Sequence, residues 1–372
     1  MLRILHCIYD DRANPWVGGG GAARAHEIYR RLTDRVSVLV VTGNYPGARE
    51  ETIAGVSYLR VGAPRPYVLS RASYARAAAK LIRGARSGGY DAAVLDFSVY
   101  APVRVPHGMP VGLVVHHLTG VTAAERWGRI LGGGLAALER RLIRRARWIS
   151  TPSQWTLARV RSIASAGTGL FMVGAGVDDS FFEVRRRPQG YLLYFGRLDV
   201  FQKGLDTLLA ALARVREARA GIELKVAGRG RDADRLREMV GRLGLTNAVR
   251  LLGPVSDRER TELLAGAEIL VMPSRFEGFG LVAAEALAAG VPVVASHAGA
   301  LAEVVPPDVG VLVEPGDVAG LATVLTSLLA DEGRRRALSE RARASAGRFR
   351  WAVVAERHYE FLEAIAGGDS PG

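Results

Sequence analysis

The chain turns on PSRFEGFGLVAAEALAAGVPVVAS, residues 273–296. It follows directly on the apolar run Glu268–Met272, whose length and composition predict a buried parallel strand. Gly278 and Gly280 break that pattern, and Leu281–Ala289 reads as an alanine-rich helix stopped by Gly290 and Pro292. Two carboxylates stand eight residues apart, Glu277 in the loop and Glu285 two turns further on, inside the helix. The unpaired N–H groups of a helix start favour an anionic ligand. Carboxylates are poor phosphate ligands but good acceptors for hydroxyl groups. A phosphate subsite bordered by hydroxyl acceptors fits a nucleotide sugar, with the main-chain N–H groups of Gly278, Phe279, Gly280 and Leu281 facing its hydroxyls and phosphate.

Upstream, Tyr191–Leu198 predicts a strand ending in Gly196-Arg197, and Asp199–Gly204 leads into a helix at Leu205–Arg219. Arg197 and Lys203 lie six apart in a loop that opens a helix, which suits a diphosphate: arginine binds as a bidentate fork and lysine as a compact charge. Ile222–Gly228, Val249–Val255, Val291–Ser296 and Val311–Val313 predict the remaining strands of this half, followed by helices at Asp317–Leu329, Glu332–Gly347 and Trp351–Ile365.

This half resembles the retaining glycosyltransferases of family 4. Their Glu-plus-seven-plus-Glu signature stands at Glu277 and Glu285, and their glycine-arginine-leucine and lysine-glycine pattern at Gly196–Leu198 and Lys203-Gly204. The similarity runs through nearly the whole chain and is most specific over Tyr191–Val313. It implies an α/β protein of GT-B fold, two Rossmann-like doubly wound domains facing each other across a cleft. It also implies a nucleotide-diphosphate-sugar donor whose departing diphosphate is neutralised by Arg197 and Lys203, with no metal and no other cofactor. Glu277 would hold hydroxyls of the transferred sugar and Glu285 the ribose, and the main chain at Pro254 and Val255 would border the base. Gly174–Asp178 resembles the turn that ends the family's first domain, without the Pro-Asn that usually precedes it.

The first half alternates short apolar runs with helical segments, as a doubly wound sheet requires. Strands are predicted at Leu2–Tyr9, Val36–Thr42, Val56–Val61, Ala92–Phe97, Val111–His116, Trp148–Ser153 and Leu170–Val177. Four glycines, Gly18–Gly21, lie between the first strand and the first helix and let backbone approach a ligand closely. The resemblance sets Gly19 and Gly20 against the donor diphosphate or the acceptor. His116 and His117 end a strand, where open α/β sheets bind ligands. The family often has a histidine here that reaches the transferred sugar; His116 is the first choice and His117 the second. The predicted division is a first domain over 1–184, a linker at 185–190 marked by Arg185-Arg186-Arg187-Pro188, a second domain over 191–350, and a C-terminal helix, 351–366, returning to the first.

At 372 residues the chain is long enough for two cores. Cys7 is the single cysteine and sits in an apolar strand, so it reads as core. The N-terminus enters that strand with no charged leader, and no apolar window is long enough to span a membrane, which predicts a cytoplasmic protein. Fifty basic residues against 37 acidic ones give a net charge of +13. No basic stripe is interleaved with aromatics, so a nucleic-acid partner is not expected; an anionic donor and a peripheral contact with an anionic membrane fit better. The membrane candidate is the basic segment Ala124–Trp148, with Trp127, Leu131, Leu135, Leu138 and Leu142 on one face and Gly132–Gly134 weakening its middle. The function predicted is transfer of a sugar to a glycan, lipid-linked or small-molecule acceptor. The alternative is a sugar-nucleotide epimerase on the same architecture.

Overall fold

The computed structural model describes all residues except 15–19, 65–66, 99–102, 104–107, 119–122 and 369–372, together with the side chains of 67, 123–127 and 129. The chain divides into two compact units, Met1–Ala175 with Trp351–Gly372, and Gly176–Arg350.

The first unit is built on eight strands: β1 (Leu2–Cys7), β2 (Val36–Gly43), β3 (Glu51–Ile53), β4 (Val56–Val61), β5 (Ala92–Asp96), β6 (Val111–Val114), β7 (Trp148–Thr151) and β8 (Gly169–Met172). Their order is β3-β4-β2-β1-β5-β6-β7-β8, parallel except for the antiparallel β3–β4 pair. That hairpin closes through Ala54 and Gly55, both at positive φ (48° and 79°), the two-residue geometry whose twist matches paired strands. The helices are α1 (Gly20–Tyr29), α2 (Tyr67–Ala85), α3 (Ala123–Arg145) and α4 (Gln154–Arg161). The alternation of β1 divides the core: Ile4 packs on the face holding Ile28 and Tyr29 of α1, and Leu5 and Cys7 on the face holding Ala78 and Ile82 of α2. Burial pushes the Cys7 thiol up to about 12, as befits a core residue.

The second unit contains β9 (Tyr191–Phe195), β10 (Glu223–Ala227), β11 (Val249–Gly253), β12 (Ala267–Met272), β13 (Val293–Ser296) and β14 (Gly310–Val313), in the order β11-β10-β9-β12-β13-β14 and parallel throughout. Its helices are α5 (Asp179–Phe182), α6 (Leu205–Ala218), α7 (Ala233–Arg242), α8 (Asp257–Gly266), α9 (Leu281–Ala288), α10 (Leu301–Val304), α11 (Val318–Ala330) and α12 (Glu332–Ser345). Leu192 and Tyr194 face one buried layer, Tyr191 and Leu193 the other, so β9 is apolar on both sides as a central parallel strand must be. The last helix, α13 (Trp351–Gly367), belongs to the first unit, where Val354, Phe361, Leu362 and Ile365 join its core.

The division of the chain falls earlier than the sequence suggests. Phe181 and Val184 are buried in the second unit's core. The expected linker is hydrogen-bonded to that unit, through Arg187 N–H to Ala265 O (2.7 Å) and Gln189 N–H to Gly266 O (2.9 Å). Helix α3 also departs from expectation: it breaks at Gly128 (φ 77°, ψ 166°), while Gly132–Gly134 stay helical. Its anticipated apolar face is only half covered, with Leu135, Leu138 and Leu142 half-buried and Leu131 exposed, and the buried positions include Glu139 and Ile143.

Each sheet has one point at which successive strands leave in opposite directions: β1 between β2 and β5, and β9 between β10 and β12. The carboxyl ends of strands at such points border an open crevice, the favoured ligand position in this class of sheet.

Candidate functional site

In the second unit the loops after β9 and β12 meet. Tyr194 Oη donates to Arg197 O (2.8 Å) and Leu198 N–H to Arg229 O (3.0 Å), strapping down the turn Gly196–Leu198. Lys203 N–H donates to Asp199 O (3.0 Å), and Asp199 Oδ1 accepts from Gln202 N–H (2.9 Å), a tight turn that delivers Lys203 to the start of α6. Gly204 makes that delivery possible. Its φ is 64°, and a Cβ there would lie 1.9 Å from Pro273 O, so only glycine lets the two loops touch.

Lys203 Nζ then donates to Glu277 Oε2 at 2.5 Å, and Ser274 Oγ reaches the same oxygen at 3.5 Å. The pair is largely but not fully covered, with 13% of the lysine and 16% of the glutamate side chain exposed. An ammonium has three donors. Among the described residues only Glu277 takes one of them, and Glu277 Oε1 has no partner. Arg197 is exposed, and its guanidinium has no ion pair among the described residues. The Tyr194 phenol registers both neighbours: burial pushes it far up, the Glu277 charge adds to that, and Arg197 opposes it.

Gly280 caps α9 at φ 94° with no side-chain cap. Backbone bonding within the helix begins with Ala283 N–H to Gly280 O (2.9 Å). Phe279 does something the sequence did not suggest. Its ring packs edge-on against Phe349 at 5.9 Å, so only its backbone faces the site. Pro254 is exposed and Val255 half-buried at the carboxyl end of β11, on the same edge of the sheet as Gly196; Gly196 N–H to Ala227 O and Gly228 N–H to Gly253 O tie the three strand ends together.

Glu285 is placed differently. It is buried one turn into α9, where Arg260 of α8 donates to its Oε2 at 2.5 Å. Burial raises the Glu285 carboxyl above its usual range, and Arg260 opposes the rise. Arg260 also lies over the rings of Phe195 (4.7 Å) and Phe181 (5.2 Å). The structure therefore joins Lys203 to Glu277, places Arg197 in the turn that follows β9, and sets Glu285 in its own ion pair.

In the first unit, Gly19 lies outside the described residues, and Gly20 begins α1 with nothing within 4 Å of an added Cβ. Gly21 is the close-packed glycine: a Cβ there would lie 3.5 Å from both Asp96 Oδ2 and His116 Nε2. His116 Nε2 is bonded to Asp96 Oδ2 at 2.8 Å, whereas His117 is exposed, so His116 is the imidazole built into the strand ends. Behind it stand residues the sequence did not single out. His6 Nε2 meets Asp96 Oδ1 at 3.0 Å, His6 Nδ1 meets Tyr29 Oη at 2.8 Å, and His358 Nε2 of α13 meets Tyr29 Oη at 3.3 Å. Burial opposes the Asp96 charge, but His116 and the two imidazole bonds outweigh it and hold the carboxyl well below the usual range. No local signal marks these partners, because each contact joins residues distant in sequence.

Two family models match, "Glycosyltransferase Family 4" over residues 18–181 and "Glycosyl transferases group 1" over 178–345. The chain is 35% identical over 253 residues to an MMP alpha-(1->4)-mannosyltransferase of Mycolicibacterium hassiacum, covering 62% of this chain and 61% of that protein. It thus spans about three fifths of the length of the curated relatives it matches. Among solved structures, sucrose-phosphate synthase from Thermosynechococcus elongatus superposes with a TM-score of 0.81 at 20% identity, over 99% of this chain and 100% of that one. Anabaena Alr3699/HepE in complex with UDP-glucose superposes with a TM-score of 0.73 at 20% identity, over 98% and 100%. None of these relatives is an epimerase, and the epimerase alternative gains nothing from them.

Proposed function

The chain belongs to the family 4 glycosyltransferases, with their GT-B fold, and from that premise we propose that it is a retaining enzyme transferring a sugar from a nucleotide-diphosphate donor to an acceptor hydroxyl. The observation that carries the reading is the pairing of Lys203 with Glu277 beside Arg197, at the point where β9 and β12 diverge. The spare ammonium protons of Lys203 and the fork of Arg197 take oxygens of the departing diphosphate, whose charge grows as the sugar becomes oxocarbenium-like. Preorganised donors of this kind stabilise the transition state most. Glu277 Oε1 accepts a hydroxyl of the transferred sugar, while Oε2 keeps Lys203 in place. The amides of Gly278–Leu281 serve the sugar and phosphate, Glu285 the ribose, and the main chain at Pro254 and Val255 the base. His116 donates to or accepts from a sugar hydroxyl.

Front-face attack gives retention. The bond from the anomeric carbon to the leaving phosphate oxygen breaks, the bond to the acceptor oxygen forms on the same face, and the acceptor proton passes to that phosphate oxygen. The complexes of the Anabaena protein with UDP and with UDP-glucose support a nucleotide-sugar donor. Neutralisation rests on Arg197 and Lys203 without a metal, so turnover is expected to be unchanged in excess EDTA.

The test is a panel of nucleotide sugars and hydroxyl acceptors, with the anomeric configuration of the product read by proton NMR. A product of the donor's own configuration supports the reading. An inverted product, or a new epimer formed from donor alone, overturns it.

No helix among the described residues is long and apolar enough to cross a membrane. A peripheral contact is part of the proposal, because Ile130 (94% exposed) and Leu131 (59%) project from α3, which carries Arg140, Arg141, Arg144 and Arg145 further along. Sedimentation with anionic vesicles is expected to fall steeply with salt; binding that is absent or insensitive to salt removes the contact.

A further inference from the structure

Asp96, His6, Tyr29 and His358 form a buried chain of hydrogen bonds that ends on His116, and its chemistry fixes where each proton sits. An ionised carboxylate only accepts, so both imidazoles bonded to Asp96 donate to it: His6 from Nε2 and His116 from Nε2. With His6 neutral, its Nδ1 is then an acceptor and takes the only proton of Tyr29 Oη. Tyr29 Oη in turn accepts from His358 Nε2. This leaves His358 Nδ1 as a bare lone pair, and among the described residues that atom is indeed buried without a partner. Burial lowers the His358 imidazole, and the guanidinium of Arg24, itself buried on α1, adds to that. The donors therefore run one way, from α13 through α1 and β1 to β5.

We infer that Asp96, backed by His6 and Tyr29, is a positioning group that holds His116 with its proton on Nε2, so that Nδ1 is the ring nitrogen offered to a ligand. The His116 side chain is 30% exposed while Asp96 is 7% exposed, so the protonated nitrogen faces the buried carboxylate. Gly21 lies beside both groups, where a Cβ would be in ordinary contact with Asp96 Oδ2 and His116 Nε2. The same logic makes α13 a distant support of the site, since His358 supplies the first donor. The inference rests on the proposed role of His116 in sugar binding only for its effect on turnover; the proton position stands or falls separately.

The experiment is nitrogen-15 NMR of the full chain labelled at its seven histidines, with His116 assigned by loss of its signals in His116→Gln. The expected result is a protonated Nε2 and an unprotonated Nδ1 for His116 in the wild type, and a mixture of tautomers in Asp96→Asn. Turnover of Asp96→Asn is expected to fall about 10–100-fold, the usual cost of losing a partner that orients an imidazole, with the donor KM within twofold and partial recovery in Asp96→Glu. If Asp96→Asn does not fold, Tyr29→Phe replaces it and is expected to disturb the His6 and His116 signals together. An unchanged His116 spectrum in the variant overturns the inference. A changed spectrum with unchanged turnover supports the proton assignment and instead removes His116 from the proposed function.

Discussion

The two units place charge at the same topological position and treat it in opposite ways. In the first, the groups at the divergence of β1 and β5 form a closed set behind His116: Asp96 is nearly buried, both its oxygens are taken, and its partner His6 is itself bonded to Tyr29. In the second, the groups at the divergence of β9 and β12 are left with spare capacity: Lys203 has unused donors, Glu277 an unused oxygen, and Arg197 stands in solvent. The difference separates two tasks. A closed set fixes the orientation of one ring, whereas an open set waits for a ligand with many oxygens. The Arg260–Glu285 pair shows that the second unit also buries paired charge.

Breaking the closed pair of the second unit is expected to cost the most. Arg260→Met leaves Glu285 buried beside an apolar neighbour, and losing one partner of a buried pair typically costs about 3–5 kcal/mol at neutral pH. Because the Glu285 carboxyl is already raised, the folded state binds its proton more tightly than the unfolded state does. The protonated form therefore contributes stability that is present at low pH and lost as pH rises through the folded pKa. Urea unfolding is expected to show the variant recovering towards wild type as the pH is lowered from 7 to 5; a pH-independent deficit would contradict a charged Glu285.

Breaking the open set is expected to cost turnover and not stability. Lys203→Ala and Arg197→Ala should each lose about 10²–10³ in kcat, with unfolding midpoints near wild type for Arg197→Ala because nothing packs on its exposed guanidinium. Values of kcat within tenfold of wild type for both would show that these two cations serve no leaving group. Gly204→Ala sharpens the comparison from the backbone side. It adds a Cβ against Pro273 O in a left-handed conformation, so a loss of about 1–3 kcal/mol is expected from strain alone, and the Lys203–Glu277 contact should loosen with it. Wild-type stability in that variant would mean that the two loops do not need their close approach. Tyr29→Phe is the mildest change, removing one link of the closed set. A few-fold fall in kcat is the expected limit, about the net contribution of one ordinary hydrogen bond, read in the same assay.

The sequence carried the open set almost completely. Gly196-Arg197, Lys203-Gly204 and Glu277 to Leu281 sit in loops whose glycines and charges interrupt apolar runs, and such interruptions are visible without coordinates. The closed sets were illegible for the same reason. Asp96, His6 and Tyr29 lie inside regular elements where a polar residue looks like any other, and Arg260 is one arginine on a helix whose other charges are solvated. Strand β3 escaped because all three of its residues are exposed and show no alternation. The unit boundary moved because Phe181 and Val184 choose their core by tertiary contact, while Arg185-Arg186-Arg187-Pro188 only resembles a free connector. The break in α3 is set by the positive φ of Gly128, while three successive glycines further on remain helical.

The return of α13 to the first unit makes the second unit, in chain order, an insertion within the first. A ribosome therefore delivers residues 176–350 as one uninterrupted piece, able to condense as soon as it emerges. The earlier sheet must wait with its face bare of Val354, Phe361, Leu362 and Ile365 until the final turns are made. The unit whose sheet is translated earlier is thus completed after the other, and its exposed apolar face is the one a nascent-chain chaperone would meet.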